Sequence, residues 1–254
     1  VTTNTFRATD AASNSATCAF TVTVTDTELP TITCPANVTA VNDPGLCGAV
    51  VTYTTPAGLD NCTATTAQSA GAASGTSFAV GVTTNTFTVT DGAGNTATCS
   101  FSVTVTDAEL PVWAACPANI TVSTSTTSCD AVVSWTAPTA TDNCAVVNSS
   151  GTQTPGSTFA LGTITVTYTA DDAAGNTATC VFDITVNDSV APNAICQNVT
   201  VNLDINGNGS TTAVAVDNGS SDNCIVDTLV LSQSAFTCAN AGANTVTLVV
   251  TDLS

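Results

Sequence analysis

The chain has 254 residues, with one basic side chain, Arg7, against 19 acidic ones, no histidine, and a formal net charge of −18 at pH 7. That balance excludes nucleic acid as a partner, because nothing is available to neutralise phosphates, and it sets the chain against anionic membrane surfaces. Without lysine or histidine, Ser–His–Asp triads, Cys–His dyads and Schiff-base chemistry are out of reach, and no apolar run is long enough to span a bilayer.

Thr, Val and Ser dominate, Gly and Pro punctuate, and no long segment carries a helical apolar period, so the chain reads as all-β. The first element is a hairpin, "TFRATDAASNSATCAFTVTVTD", at 5–26. Its text returns as "TFTVTDGAGNTATCSFSVTVTD" at 86–107 and again through "DDAAGNTATCVFDITVND" at 171–188. In the last copy Cys180, Phe182, Ile184 and Val186 alternate with mostly polar residues, which puts the cysteine on the inward face of a strand. Cys18, Cys99 and Cys180 recur at about 80 residues, the size of a small domain.

Two other landmarks keep that spacing: "CPAN" at Cys34 and Cys116, returning as "CQN" at Cys196, and "DNC" at Cys62, Cys144 and Cys224. They divide the chain into a hairpin of a preceding repeat at 1–26, complete repeats at 27–107 and 108–188, and a repeat lacking its last strand at 189–254. The chain therefore reads as a window on a longer repetitive protein.

Twelve cysteines without a CxxC pair or histidine point to disulfides and an oxidising compartment. Register selects among the pairings. Cys47 shares a face with Ala49, Val51 and Tyr53, and Cys129 with Ala131, Val133 and Trp135, so both face the core from an early strand. Cys99 and Cys180 face it from the last strand. Early and last strands usually lie in opposite sheets of a sandwich, which gives Cys47–Cys99 and Cys129–Cys180. Cys34 opens the first strand and Cys62 follows the second, which gives Cys34–Cys62, Cys116–Cys144 and Cys196–Cys224. In the third repeat a gap-free alignment puts Gly209 at the Cys47 and Cys129 position, while Cys238 takes the place of Val80 and Leu161. That cysteine then awaits a last-strand partner, so Cys238 and Cys18 are expected to be unpaired.

The spaced cysteines, "DNC", the Phe78–Gly81 and Phe159–Gly162 pairs and the "D-x-x-G-N-T-A-T-C" hairpin together resemble the hyalin repeat (HYR) domain, over essentially the whole chain. The resemblance implies tandem immunoglobulin-like β-sandwiches arranged end to end outside the cell, in adhesion or as a structural stalk. The third repeat, with Gly209 and Cys238, is similar to a variant found in surface proteins of the Bacteroidetes type, and Ser13 replaces the turn glycine in the first hairpin. The expected role is a non-catalytic structural or adhesive array forming a rod, stalk or filament. The alternative is a binding module that recognises carbohydrate or protein through its end loops. Partners are accordingly other copies in a fibre, or extracellular protein or carbohydrate.

No cofactor is required, and the acids recur with the repeat where a catalytic pair would be singular. "DINGNG" at 204–209 resembles the opening of a calcium-binding loop, but Ala215 stands where a bidentate glutamate is needed, so it reads as a hairpin turn. Asn37, Asn119 and Asn198 head glycosylation sequons that recur with the strand pattern. Trp113 is assigned to a junction and Trp135 to a core. The candidate metal sites are junctional calcium sites. Asp26, Glu28, Asp60, Asp91 and Asn95 would serve the first repeat, and Asp107, Glu109, Asp142, Asp171 and Asn176 the second, because carboxylates gathered without lysine repel unless a cation joins them.

Overall fold

The computed structural model describes residues 1–253, in two compact units, Val1–Glu109 and Leu110–Ser254. In the first unit, β1 (Thr2–Thr9) and β2 (Ser15–Val22) form a hairpin that pairs Phe6 with Cys18. Asp10 closes its turn, taking the backbone N–H groups of Ala12 and Asn14 at 2.9 Å each. Ser13 stands there at φ 68°, where the equivalent turns carry Gly94 and Gly175. The left-handed region is costly for a residue with a Cβ.

The first complete repeat follows as β3 (Val38–Val41), β4 (Gly48–Val51), β5 (Ala64–Ala70), β6 (Thr76–Ala79), β7 (Gly81–Asp91) and β8 (Thr96–Thr106). One sheet runs β3-β8-β7-β5 and the other β4-β6. Alternation along β7 and β8 buries Phe87, Val89, Phe101, Val103 and Val105, as a half-buried strand requires. From the second sheet Ala49, Val51 and Phe78 meet them, and Tyr53 packs edge-on to Phe101 at 4.9 Å.

In the second unit, β9 (Val112–Trp113) pairs with β12 (Ala140–Thr141) at the edge of the next repeat. Between and after them come β10 (Ile120–Ser123), β11 (Asp130–Val133), β13 (Val146–Gly151), β14 (Ser157–Ala160), β15 (Gly162–Asp172) and β16 (Thr177–Asn187). The sheets are β10-β16-β15-β13 and β11-β14. Cys180, Phe182, Ile184 and Val186 are buried, as the alternation predicts. Trp135 lies against this core, donating its indole N–H to the Tyr168 hydroxyl at 2.9 Å, and Trp113 packs edge-on to the same tyrosine ring.

The third repeat is sparser. β17 (Asn208–Ser210) pairs with β19 (Ala235–Thr237), β18 (Val226–Leu231) pairs with β20 (Leu248–Asp252), and a short helix, α1 (Ala213–Val216), is capped by Thr212. "DINGNG" is a turn, in which Asp204 accepts the N–H groups of Asn206 and Asn208. No strand equivalent to β16 is present among the described residues of this repeat. The fold class is thus all-β, in tandem immunoglobulin-like sandwiches. No helix among the described residues is long and apolar enough to cross a membrane.

The first strand of each complete repeat lies beside the last, in parallel: Val38 is opposite Val103 and Ile120 opposite Ile184. Asn37 and Asn119 brace that approach, accepting the N–H groups of Ser102 and Asp183 at 2.9 Å each, so the recurrence of these two sequon asparagines has a structural cause. The same adjacency overturns the expected disulfides. Cys34 bonds Cys99 and Cys116 bonds Cys180, with Cα atoms 5.6 and 5.7 Å apart. Cys34 does not pair with Cys62, Cys47 with Cys99, Cys116 with Cys144 or Cys129 with Cys180. Ala131 and Val133, which share a strand face with Cys129, are buried. However, β11 is short and Cys129 precedes it, so its side chain leaves the sandwich at the end where the core has run out.

Non-reducing peptide mapping should recover Cys34 joined to Cys99 and Cys116 joined to Cys180. The second bridge closes a sequence separation of 64, for which chain-entropy reasoning gives about 4 kcal/mol. Cys180→Ser should therefore lower the denaturation midpoint of the second repeat well below that of the first. Equal midpoints would show that the bridge constrains little.

Candidate functional site

The place where chemistry gathers is the loop carrying "DNC". Its aspartate caps the turn: Asp60, Asp142 and Asp222 each accept the N–H of the cysteine two residues on, at 2.9, 2.9 and 2.8 Å. The geometry is the Asx turn expected of Asp before a reversal. It uses one carboxylate oxygen and leaves the other, Oδ1 of all three aspartates, buried without a hydrogen-bond partner.

In the second unit this loop is bound covalently to the preceding repeat. Cys224 bonds Cys129, with Cα atoms 4.4 Å apart. Beside it, Asn223 donates its side-chain amide to Thr124 Oγ1 at 3.0 Å and to the Ser125 carbonyl at 2.9 Å. The expected Cys196–Cys224 bond is therefore absent, and Cys196 is a free thiol. Sequence reasoning kept every bridge inside one repeat and so missed a cysteine shared between repeats. The available signal was that Cys129 stands ahead of its strand, at the end of the sandwich. Cys47 and Cys144 are disulfide-bonded as well. Cys18, Cys62 and Cys238 carry free, exposed thiols.

Acids gather at the same loops. Asp188 and Asp222 lie together beside Cys224, and Asp26 and Asp60 beside Cys62, with ligand atoms within 4.8 Å of one another in each group. The hydrogen bond to Asp26, and then the charge of that carboxylate, push the Cys62 thiol above its ordinary pKa. Asp188 and Asp222, which were not among the expected ligands, thus form the second unit's counterpart of Asp26 and Asp60.

Other expected ligands are spent on structure. Asp91 is buried and accepts the N–H groups of Ala93 and Asn95 and, at 2.7 Å, the Asn95 amide. Asn95 also donates to the carbonyl of Glu28, and Glu28 accepts from Asn61 at 2.6 Å. Glu109 accepts the Gly45 N–H, and the buried Asp107 accepts the N–H of Glu109. In the second repeat the counterpart of Asp91 is Asp172, not Asp171. Asp172 is buried and takes Ala174, Asn176 and the Asn176 amide. Period two turns Asp171 to the outer face, where it accepts from Asn148 and Thr177.

A groove of about 760 Å³ in the third repeat is lined by Val199, Val201 and Phe236 among others. Their counterparts Ile120, Val122 and Phe159 belong to the second repeat's core or pack against it, and β10 lies beside β16. The groove therefore lies where the second repeat has its core.

The chain matches the HYR domain over residues 25–105 and 106–186. It is similar to hyalin of Strongylocentrotus purpuratus, 33% identical over 200 residues that make up 75% of this chain and 17% of that protein. With hyalin of Lytechinus variegatus it shares 37% identity over 191 residues, 73% of this chain and 36% of the relative. A mouse protein, "Sushi, von Willebrand factor type A, EGF and pentraxin domain-containing protein 1", is 38% identical over 81 residues, 31% of this chain and 2% of its own length. The chain thus spans well under half of each of these relatives. Among solved structures, the protocadherin GammaB4 extracellular domain aligns with 81% of this chain and 41% of its own, at 15% identity and a TM-score of 0.32.

Burial pushes Asp91 and Asp172 upward, but hydrogen bonds from Asn95 and Asn176 outweigh it and hold both carboxyls below their usual pKa. A depressed folded-state pKa adds stability above the unfolded value of about 3.9, and that stability is lost as pH falls through the folded value. Melting temperature should therefore be flat from pH 7 to 5 and drop below about 4. In the Asp91→Asn, Asp172→Asn double variant the acid limb should be shallower; an unchanged limb would remove the hairpin aspartates as its source.

Proposed function

The chain belongs to the HYR domain family, and we propose that it is a non-catalytic structural and adhesive repeat array outside the cell, part of a stalk or filament. The observation that carries this reading is the Cys129–Cys224 bond, which ties one sandwich to the next. A bond of that kind resists separation of neighbours under pull and has no role in an isolated binding domain. It also requires an oxidising compartment, as do Cys34–Cys99 and Cys116–Cys180. The four segments, a hairpin at 1–26, repeats at 27–107 and 108–188 and a variant repeat at 189–254, are the units of that array. Its partners are further copies or extracellular protein or carbohydrate. The sea urchin and mouse relatives lend no support to a bacterial source, and the function does not depend on one.

Force spectroscopy on the intact chain tests the mechanical role. With Cys116–Cys180 closed, 64 residues of separation cannot extend, so the oxidised repeat should release about 220 Å less contour length than the reduced one. Equal increments would remove the mechanical argument. Immuno-electron microscopy of intact, unpermeabilised source cells tests location, and labelling confined to the interior would overturn the extracellular reading.

Calcium at the junctions is the second reading, favoured by the buried, unpartnered Oδ1 atoms of Asp60 and Asp222 beside Asp26 and Asp188. Paired carboxylates suit a hard cation, whose remaining positions take carbonyls and water. Calcium at a hundredfold excess over its Kd should stabilise the chain by about 2.7 kcal/mol relative to chelator. Asp60→Asn with Asp222→Asn should abolish that difference, and a calcium shift that survives both changes would place the ion elsewhere.

A further inference from the structure

The third repeat carries a cysteine, Cys238, that neither complete repeat has, and the register shows what it replaces. Gly209 pairs with Phe236 as Ala131 pairs with Phe159 and Ala49 with Phe78. Gly209 is therefore the counterpart of Ala131, and the gap-free alignment that set it against Cys129 is wrong. The counterpart of Cys129 is Gly207.

The shift has a local cause. The turn before β17 closes from Asp204 to Asn208, through the Asp204 N–H to the Asn208 carbonyl at 2.8 Å, whereas the equivalent turn of the second repeat runs from Ser125 to Asp130. The tighter turn holds Gly207 at φ 77°, a conformation that cysteine adopts poorly. The sulfur arrives instead from the paired strand. Cys238 lies opposite, its Sγ 3.9 Å from the Gly207 carbonyl oxygen, and a Cβ built on Gly207 would stand 2.6 Å from that Sγ. The thiol thus occupies the space that the Cys129 side chain would fill, and it is exposed.

Cys129 itself bonds the "DNC" cysteine of the following repeat. We propose that Cys238 is the third repeat's inter-repeat cysteine and that its partner is the "DNC" thiol of another HYR repeat, met in a second copy of this chain as Cys62. Cys62 is exposed and free, and its loop already has the bonded form, because Asp60 caps the Cys62 N–H as Asp222 caps that of Cys224. The flanking Asn61 is the counterpart of Asn223, whose amide clamps the 124–128 loop. The contact joins different surfaces of the two copies, so it propagates head to tail. Chemically, two thiols lose two protons and two electrons to form the S–S bond, and a small-molecule disulfide such as oxidised glutathione accepts them and leaves as two thiols.

The test is incubation of the full 254-residue chain in a glutathione redox buffer at mildly alkaline pH, read by non-reducing electrophoresis and cross-link mass spectrometry. The expected result is a ladder of covalent multimers whose main inter-chain peptide joins Cys62 to Cys238. Cys62→Ser and Cys238→Ser should each abolish the ladder, while Cys18→Ser with Cys196→Ser should leave it intact. None of these four thiols is bonded within the chain, so none of the variants removes a bridge. A chain that stays monomeric, or multimers joined mainly through Cys18 or Cys196, would overturn the assignment.

Discussion

Closure of the first strand onto the last is the constraint from which the rest of each repeat follows. β10 has only four residues and reaches the sheet solely through β16, in parallel, a pairing that needs a long connection. The Cys116–Cys180 bond fixes the entrance to that pairing, and Asn119 holds the Asp183 N–H as the strands come together. With both ends of the repeat secured to one strand, the chain leaves β16 at Asn187 and enters the next repeat with almost no residues to spare. That economy brings Asp188 against Asp222 and Cys129 within reach of Cys224.

A small core makes such closure necessary. The second repeat's core is built largely on β-branched residues, three aromatic rings and a buried cysteine, with Trp113 and Trp135 only partly covered. Domains of this size bury a modest fraction of their surface, and covalent closure offsets the shortfall by restricting the unfolded chain. The bond between repeats does something different. It closes a longer separation, 95 residues, and so restricts the unfolded chain as well, but it couples one sandwich to its neighbour where Cys34–Cys99 and Cys116–Cys180 each close a single repeat.

Much of this was legible in the sequence. The repeat, the hairpins, the inward faces of β7, β8, β15 and β16 and the turn at Asp204 all follow from period two and from Asp, Asn and Gly at reversals. These are local signals, and the backbone obeys them. The disulfide pairing was not legible, because it depends on which strands are neighbours. An antiparallel second strand was the natural companion for the first, and parallel adjacency to the last strand leaves no mark on either segment's alternation. Asp171 was misplaced for a different reason: two adjacent aspartates precede the second repeat's turn, and counting "D-x-x-G-N" back from Gly175 and Asn176 reaches Asp172, the one that faces inward.

The junction acids and the inter-repeat bond bear on one another. Asp26 accepts from the Cys62 thiol, and that contact raises the thiol's pKa. A thiolate is the species that attacks a disulfide, so the same carboxylate that suits a cation also slows oxidation of its neighbour. At Cys62, an acid from the end of the preceding segment therefore bears directly on the thiol of the "DNC" loop. With one basic residue in the whole chain, no ammonium or guanidinium stands by to offset that carboxylate, and its charge acts on the sulfur undiminished.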